Sequence, residues 1–282
     1  MPSSTIVHIR RGAHWRALGL ADIWAYRGLL LSLGLRDVKL RQKQTLLGIA
    51  WVVLQPVLSA GVLTAVFGLV VAVPTPGSIP FFVFAYIGQM GWSLFSLAVA
   101  RTSGSLVGNT ALVMKIYFPR PILPLAGVVA GLVDFGISFV LAVPMIAVYG
   151  HGGINFPIAV LAGISLVLLA TGVGFLFSSL SVRFRDVLLI LPFLVQLGLF
   201  ASPVAYSLAV ARDNLSARSP GYFALYMLNP LASLIEAFRW ALLGEGLFVM
   251  RSFAVAVVLS WVIFVAGFVA FRSAEGTFAD VI

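Results

Sequence analysis

Long apolar stretches, separated by short polar or proline-rich segments, dominate the hydropathy pattern of the chain. No Lys, Arg, Asp or Glu occurs from Gln44 to Ala100, and this stretch is interrupted once, at Val73–Pro80 (VPTPGSIP). A bilayer core needs about 20 apolar residues, and three prolines with a glycine cannot continue a lipid-facing helix. The stretch therefore predicts two membrane spans joined by a turn.

Four further apolar segments are long enough to be spans and bring the predicted number to six. They are Pro121–Tyr149, Pro157–Ser181, Val187–Ala211 and Ser252–Phe271. Ser219–Gly246 is also apolar, but Pro230 divides it into two pieces of about ten to fourteen residues, a length typical of a re-entrant or interfacial hairpin. We expect an all-α integral membrane protein whose six spans form one domain, residues 46–272.

Composition supports a membrane protein. Of the 282 residues, 61% are hydrophobic and 10% are charged, and the mean hydropathy is +1.09. A soluble domain carries about 25% charged residues. The net charge of +9 is then attributed to membrane topology and contact with anionic lipids, and we expect no binding of nucleic acid.

The distribution of Lys and Arg predicts the orientation. Eight of the 18 precede the first predicted span, whereas the short loops around Pro76 and Gly152 contain none. Short cytoplasmic loops are enriched in Lys and Arg. Both termini are therefore expected in the cytoplasm, with residues 1–21 and 273–282 as cytoplasmic tails.

A basic helix is predicted immediately before the first span, over residues 22–45. Apolar positions at helical spacing form one side of it: Leu20, Trp24, Leu31, Leu35 and Val38. Basic residues lie toward the other side: Arg36, Lys39, Arg41 and Lys43. This pattern favours an amphipathic helix along the inner leaflet; the alternative, a solvated run of charges, does not account for the leucines.

Sequence signatures of catalysis are missing. The chain contains no G-x-x-x-x-G-K-[ST] and no G-x-S-x-G, it has no cysteine, and its three histidines lie outside the predicted spans. A hydrolase acting within the membrane would need a nucleophile or metal ligands at depth. We therefore expect no enzyme activity, no metal site and no cofactor bound by this chain.

Two stripes of aromatic and polar residues lie on predicted spans. Trp51, Gln55 and Ser59 recur at four-residue steps in the first span, and the second stripe lies in the fifth span: Phe193, Gln196, Phe200 and Pro203, leading to Tyr206. Residues four apart share a helix face. The stripes are consistent with helix packing or with a passage for sugars, whose rings have an apolar face and a rim of hydroxyls. The sequence leaves both interpretations open.

Asp134 is an ionisable residue about halfway along the third predicted span. A carboxylate at that depth faces the bundle interior or a wet cavity. It is either functional, for example as a proton relay, or a structural hydrogen-bond acceptor. Arg101, near the cytoplasmic end of the second span, is expected to extend to the headgroups.

Four segments together resemble the permease subunit of polysaccharide-exporting ABC transporters. They are RDVKLRQKQTLLGIAWVVLQP (residues 36–56), SLVGNTALVMKIYFPRPILPLAGVVAGLVDF (105–135), VRFRDVLLILPFLVQLGLFASPVAY (182–206) and LNPLASLIEAFRWALLG (228–244). The resemblance extends over about residues 22–282, with the segments in the order and spacing of that family.

The resemblance implies a homodimer in the bacterial inner or cell membrane and a separate nucleotide-binding ATPase subunit, in two copies, that binds ATP and Mg. It implies a lipid-linked glycan as cargo. Residues 22–45 would be the interface helix, and residues 206–246 external gate helices. Residues 109–120 would be a cytoplasmic coupling helix that contacts the ATPase through Lys115, Tyr117, Phe118 and Arg120.

An alternative function is an ion-coupled secondary transporter or channel that acts alone, with Asp134 as the relay. Secondary transporters usually have several intramembrane ionisable groups or broken helices at mid-depth. The predicted spans offer Asp134 alone, which favours a chain driven by a partner.

Overall fold

The computed structural model describes residues 20–43, 50–116, 118–150 and 154–278, and every regular element in these ranges is helical. This agrees with the predicted all-α membrane fold. In these ranges the α-helices are α1 (Leu20–Ala25), α2 (Arg27–Lys43), α3 (Ala50–Leu63), α4 (Phe81–Gly104), α5 (Thr110–Lys115), α6 (Ile122–Tyr149), α7 (Phe156–Arg183), α8 (Val187–Phe200), α9 (Leu208–Arg218), α10 (Pro220–Tyr226), α11 (Pro230–Leu243) and α12 (Met250–Ala274).

Five of the described helices are long and apolar enough to cross a membrane. They are α3 with its π-helical continuation to Val70, α4, α6, α7 and α12, and they contain 21 to 28 residues. The predicted turn at Val73–Pro80 lies between the first two. Of the five, α4 is the most buried and α3 the least, so α4 forms the centre of the bundle and α3 lies at its edge.

The fifth predicted span, Val187–Ala211, is not one helix. Helix α8 ends at Phe200, the chain turns through residues 201–206, and α9 begins at Leu208. Pro203 lacks an amide hydrogen and disfavours helical geometry at Ser202, which accounts for the end of the helix. The 14 apolar residues of α8 are too few for a complete span by themselves.

The apolar segment before α12 folds as α10 and α11, with Pro230 at the first position of α11, where the sequence predicted a break. The Asn229 side chain caps α11 by accepting a hydrogen bond from the Leu231 amide at 3.0 Å. Helix α11 is largely buried against α4, α7 and α12. Its C-terminal end is attached to the start of α7, because the Asn155 amide donates to the Ala241 carbonyl at 2.8 Å.

Helices α7 and α12 form the most extensive helix pair, and glycines make this close approach possible. A Cβ at Gly172 would lie 2.6 Å from the Ile263 carbonyl oxygen, and a Cβ at Gly267 would overlap the Gly172 backbone. Small residues allow membrane helices to approach so closely that backbone packs on backbone. These two glycines therefore set the distance between the fourth and the last span.

Helix α2 packs against α6. Gly34 fits against Val129 and the Ala126 carbonyl, and Leu33 and Val38 are buried. Of the predicted apolar stripe, Val38 is therefore buried, whereas Trp24, Leu31 and Leu35 are exposed. The position of this helix along the inner leaflet stays a prediction. The exposed leucines and tryptophan remain free to contact lipid.

The basic side of α2 is described only in part. Arg36 and Lys39 are exposed. Arg36 donates to the Asn109 side chain at 3.1 Å, which connects α2 to the segment after α4. The side chains of Arg41 and Lys43 lie outside the described residues.

Candidate functional site

A polar cavity of about 240 Å³ lies between α3, α4 and α6, within the apolar bundle. Its polar side chains come from all three helices: Gln55, Ser59, Gln89, Ser93, Ser96, Asp134 and Ser138. Trp51 and Trp92 also line it. The cavity therefore combines flat aromatic surfaces with hydroxyl and amide groups, a combination that suits molecules with both apolar faces and hydroxyls.

The cavity contains Asp134, which forms an ion pair with Arg101. The Arg101 Nη2 atom lies 2.5 Å from Asp134 Oδ2, and the two side chains are 21% and 6% exposed. A Cβ at Gly127 would lie 2.9 Å from the Arg101 Cβ, so the glycine lets α4 and α6 approach at this level. Arg101 was expected to extend to the headgroups; it contacts Asp134 instead, because the carboxylate lies within reach inside the bundle.

The structure brings the first predicted stripe, Trp51, Gln55 and Ser59, to the cavity. The second stripe lies elsewhere: Phe193, Gln196 and Phe200 on α8 are exposed and do not line this cavity. Tyr206, in the turn after α8, donates through its hydroxyl to the Phe200 carbonyl at 3.0 Å. Within one copy of the chain, the two stripes therefore do not line the same cavity.

The loop predicted as a cytoplasmic coupling helix over residues 109–120 contains a shorter helix. A 3₁₀ turn at Val107–Asn109 leads into α5, which ends at Lys115. Ile116 is extended, and the proline at 119 disfavours helix at the residue before it. Met114, Lys115 and Ile116 are exposed, and Tyr117 lies outside the described residues.

Two other predicted loop residues, Phe118 and Arg120, point into the protein. Phe118 is 6% exposed and belongs to an apolar cluster with Phe271 and Phe278. Because its ring is buried in this cluster, Phe118 is not the exposed docking residue that we expected. Arg120 is half-buried and donates to Glu275.

A buried ion pair on α11 was missed by sequence reasoning. Glu236 and Arg239 are both nearly inaccessible, with Arg239 Nη1 3.0 Å from Glu236 Oε2. Arg239 also donates to the carbonyl oxygens of Pro203 and Val204 and lies 3.8 Å from the Phe84 ring centroid. The sequence signal was a Glu and an Arg three residues apart in an otherwise apolar segment.

The described residues contain no group of three His, Cys, Asp or Glu side chains placed to hold a metal ion. The polar groups at the cavity are amides, hydroxyls and one ion pair. The chemistry available there is hydrogen bonding.

Comparison with known proteins identifies a group of relatives, although no family model matches the chain. The chain is 32% identical over 248 residues to the O-antigen export system permease protein RfbA of Myxococcus xanthus, covering 85% of this chain and 91% of the relative. A Klebsiella pneumoniae protein of the same description is 29% identical over 217 residues, covering 75% and 78%. The polysialic acid transport protein KpsM of Escherichia coli is 25% identical over 218 residues, covering 75% and 80%.

These relatives match over most of their length, and their described functions agree with the resemblance of the four sequence segments. The described residues form helices, five of them long and apolar enough to cross a membrane, which is the architecture of an integral membrane protein. The chain belongs to the permease family of polysaccharide-export ABC transporters.

Proposed function

We propose that this chain is the membrane-spanning subunit of a bacterial exporter that moves a lipid-linked polysaccharide from the cytoplasmic side across the inner or cell membrane. A separate ATPase subunit binds Mg and ATP and supplies the energy. The printed functions of the relatives, O-antigen export and polysialic acid transport, support a cell-surface glycan as the cargo.

The polar cavity between α3, α4 and α6 is the observation that carries this proposal. An unpaired polar group in hydrocarbon is unfavourable by several kcal/mol. A cavity rich in hydroxyls and amides therefore indicates water or a polar cargo at membrane depth. Trp51 and Trp92 add the aromatic surfaces on which sugar rings pack.

A homodimer would complete the passage. Gln55 on α3 and Gln196 on α8 are both exposed in the single chain, although both belong to apolar helices. Amides facing lipid are unfavourable, and membrane helices usually direct such groups toward another helix or a wet space. The exposed faces of α3 and α8, with Phe193 and Phe200, are therefore proposed to line a passage together with a second copy.

The fifth predicted span is proposed to be α8 together with the segment that follows it. At 1.5 Å per residue, the 14 residues of α8 extend about 21 Å, short of the roughly 30 Å of a bilayer core. Helices α9 to α11 would occupy the remaining outer part as the gate segment. Cytoplasmic termini follow from this path, and a reporter fused after Ile282 should report the cytoplasm; an external signal would contradict the topology.

The ATPase subunit is proposed to dock on the loop between α4 and α6. Met114 and Ile116 are large apolar side chains that are 68% and 55% exposed, with exposed Lys115 between them. Apolar side chains with a charged neighbour are typical of docking surfaces. Lys115 and Tyr117 remain proposed contacts of the ATPase, and Met114 and Ile116 are added in place of the buried Phe118. Arg120 contacts Glu275 and is no longer proposed to contact the ATPase.

A carrier that acts alone is not favoured. A proton relay at Asp134 would need a carboxylate that takes up and releases protons during transport. Asp134 is held by an ion pair with Arg101 at 2.5 Å, which supports a structural role.

Complementation tests the proposal. The chain is expressed, with and without the ATPase of the same export system, in a strain that lacks its own polysaccharide-export permease and ATPase but still makes the lipid-linked polysaccharide. We expect surface polysaccharide, detected by antibody on intact cells, only when both subunits are present. Export by the chain alone, or no export with both subunits in the membrane, would contradict it.

A further inference from the structure

The loop before α6 and the turn after α12 are joined by one arginine and one glutamate. The Arg120 backbone amide donates to Glu275 Oε1 at 3.3 Å. The Arg120 guanidinium donates to the Glu275 carbonyl oxygen and lies 5.9 Å from the Phe278 ring centroid. The backbone and the side chain of Arg120 and of Glu275 therefore all take part in the contact between the two segments.

Further interactions hold Glu275 in place. Arg272, in the last turn of α12, forms an ion pair with Glu275 Oε2. Beneath this polar contact the Phe271 and Phe278 rings meet edge to face with centroids 5.2 Å apart, and Phe118 belongs to the same apolar cluster. The loop before α6 is therefore attached to the end of α12 by polar contacts, and residues of both segments belong to one apolar cluster.

This contact joins parts of the chain that are 155 residues apart. Arg120 lies two residues before α6, and Glu275 directly follows α12. The exposed surface proposed to dock the ATPase ends at Ile116, four residues before Arg120. A displacement of this loop would act on α6 through the chain and on α12 through Arg120 and Glu275.

We propose that Arg120 and Glu275 form a joint that makes the last span move together with the ATPase-docking loop. The proposal rests on the proposed function, because it assumes that the ATPase acts on this loop. Arg120 and Glu275 are positioning residues: they transmit the displacement and do not touch the cargo. Helix α12 packs closely on α7 at Gly172 and Gly267, so the joint carries motion into the centre of the bundle.

We expect the fold to persist without the joint. The apolar cluster of Phe118, Phe271 and Phe278 remains when the charges are removed. Arg120→Gln removes the guanidinium bond to the Glu275 carbonyl, and Glu275→Ala removes the carboxylate that accepts from the Arg120 amide. Each variant is therefore expected to fold with a weakened connection.

Spin labels test the connection directly. The chain has no cysteine, so cysteines introduced at exposed Ala111 and Ser273 report only the loop and the end of α12. The label distance is measured for the permease in nanodiscs, alone and in complex with a cysteine-free ATPase, with and without ATP. We expect one narrow distance that ATP leaves unchanged. In Arg120→Gln and Glu275→Ala, the distribution should broaden and become dependent on ATP.

The second readout is the amount of polysaccharide exported per ATP hydrolysed by the reconstituted complex. In the two variants this ratio should fall at least about fivefold, the low end of usual coupling between sites, while ATPase affinity stays unchanged. Glu275→Gln keeps the side-chain size and its hydrogen-bonding oxygen and should retain more coupling than Glu275→Ala. The control is Asp213→Asn, at a carboxylate that is 69% exposed on α9, which should behave as the wild type.

An unchanged label distance and an unchanged export ratio in Arg120→Gln would overturn the joint. Loss of ATPase binding in both variants would also overturn it, because the residues would then belong to the docking surface. The outcome for the proposed function is separate: it fails if the wild-type complex exports nothing with ATP. Even then, the label distance in the permease alone shows whether Arg120 and Glu275 hold the loop to α12.

Discussion

The buried pair Glu236–Arg239 on α11 should stabilise the attachment of the outer helices to the bundle. Replacing Glu236 by Gln keeps the shape of the side chain and leaves the guanidinium without its counter-charge. Arg239 is fully buried and cannot lose its proton under ordinary conditions. Removing one partner of a buried ion pair costs about 3–5 kcal/mol, so we expect Glu236→Gln to lower the free energy of unfolding by about that amount.

The double variant Glu236→Gln/Arg239→Met distinguishes the energy of the ion pair from that of the other contacts of the two side chains. Replacing Arg239 by Met as well removes the unpaired charge, but it leaves the Pro203 and Val204 carbonyls without their donor. Buried unsatisfied acceptors cost about 1–3 kcal/mol each. The double variant should therefore be less destabilised than the sum of the two single variants, by about 2 kcal/mol or more.

The assay is unfolding of the detergent-solubilised protein by SDS, followed by tryptophan fluorescence, for the wild type, both single variants and the double variant. Asp213→Asn is the matched control, because this exposed carboxylate is paired only with its neighbour Arg212 on the surface, and it should change stability little. If the two single effects simply add in the double variant, the buried pair does not exist as described.

Three further outcomes follow from the same contacts. If the Arg101–Asp134 pair is structural, Arg101→Gln should reduce folded yield and export, and adding Asp134→Asn should partly restore both; a relay would leave the double variant inactive. Gly267→Ala should destabilise the protein by about 1–3 kcal/mol, because the added Cβ would overlap the backbone of Gly172. The control Gly136→Ala has open space for its Cβ and should leave stability unchanged. Thermal unfolding measures both. Gln196→Leu should reduce export without reducing ATPase binding in pull-down; equal loss of binding would support a packing role.

Local features of the fold could be predicted from the sequence because their cause is local. The turn at Val73–Pro80 and the start of α11 at Pro230 both follow from the geometry of proline. The apolar length of the other spans was equally visible. The end of α8 at Phe200 could have been predicted by the same rule from Pro203, but the long apolar run on both sides led us to place a single span there.

The contacts within the site could not be predicted in this way, because they join distant residues. Arg101 and Asp134 are 33 residues apart in the sequence. Each could face lipid headgroups, water or another helix, and only the packing of α4 on α6 brings the two side chains together. Phe118 was expected to contact the ATPase because the resemblance to the permease family places it in the coupling helix. Its ring is instead buried in an apolar cluster that includes Phe271 and Phe278, which come more than 150 residues later.

The central claim, that this chain exports a lipid-linked polysaccharide on ATP hydrolysis by a partner, is tested most directly in proteoliposomes. The purified permease and its ATPase are reconstituted with the lipid-linked polysaccharide, and appearance of the glycan in the opposite leaflet is measured with a glycosidase that cannot cross the membrane. We predict translocation that requires ATP, stops when the ATPase carries an inactivated catalytic site, and persists when a protonophore removes any proton gradient. Translocation by the permease alone that depends on the gradient, and not on ATP, would contradict the account.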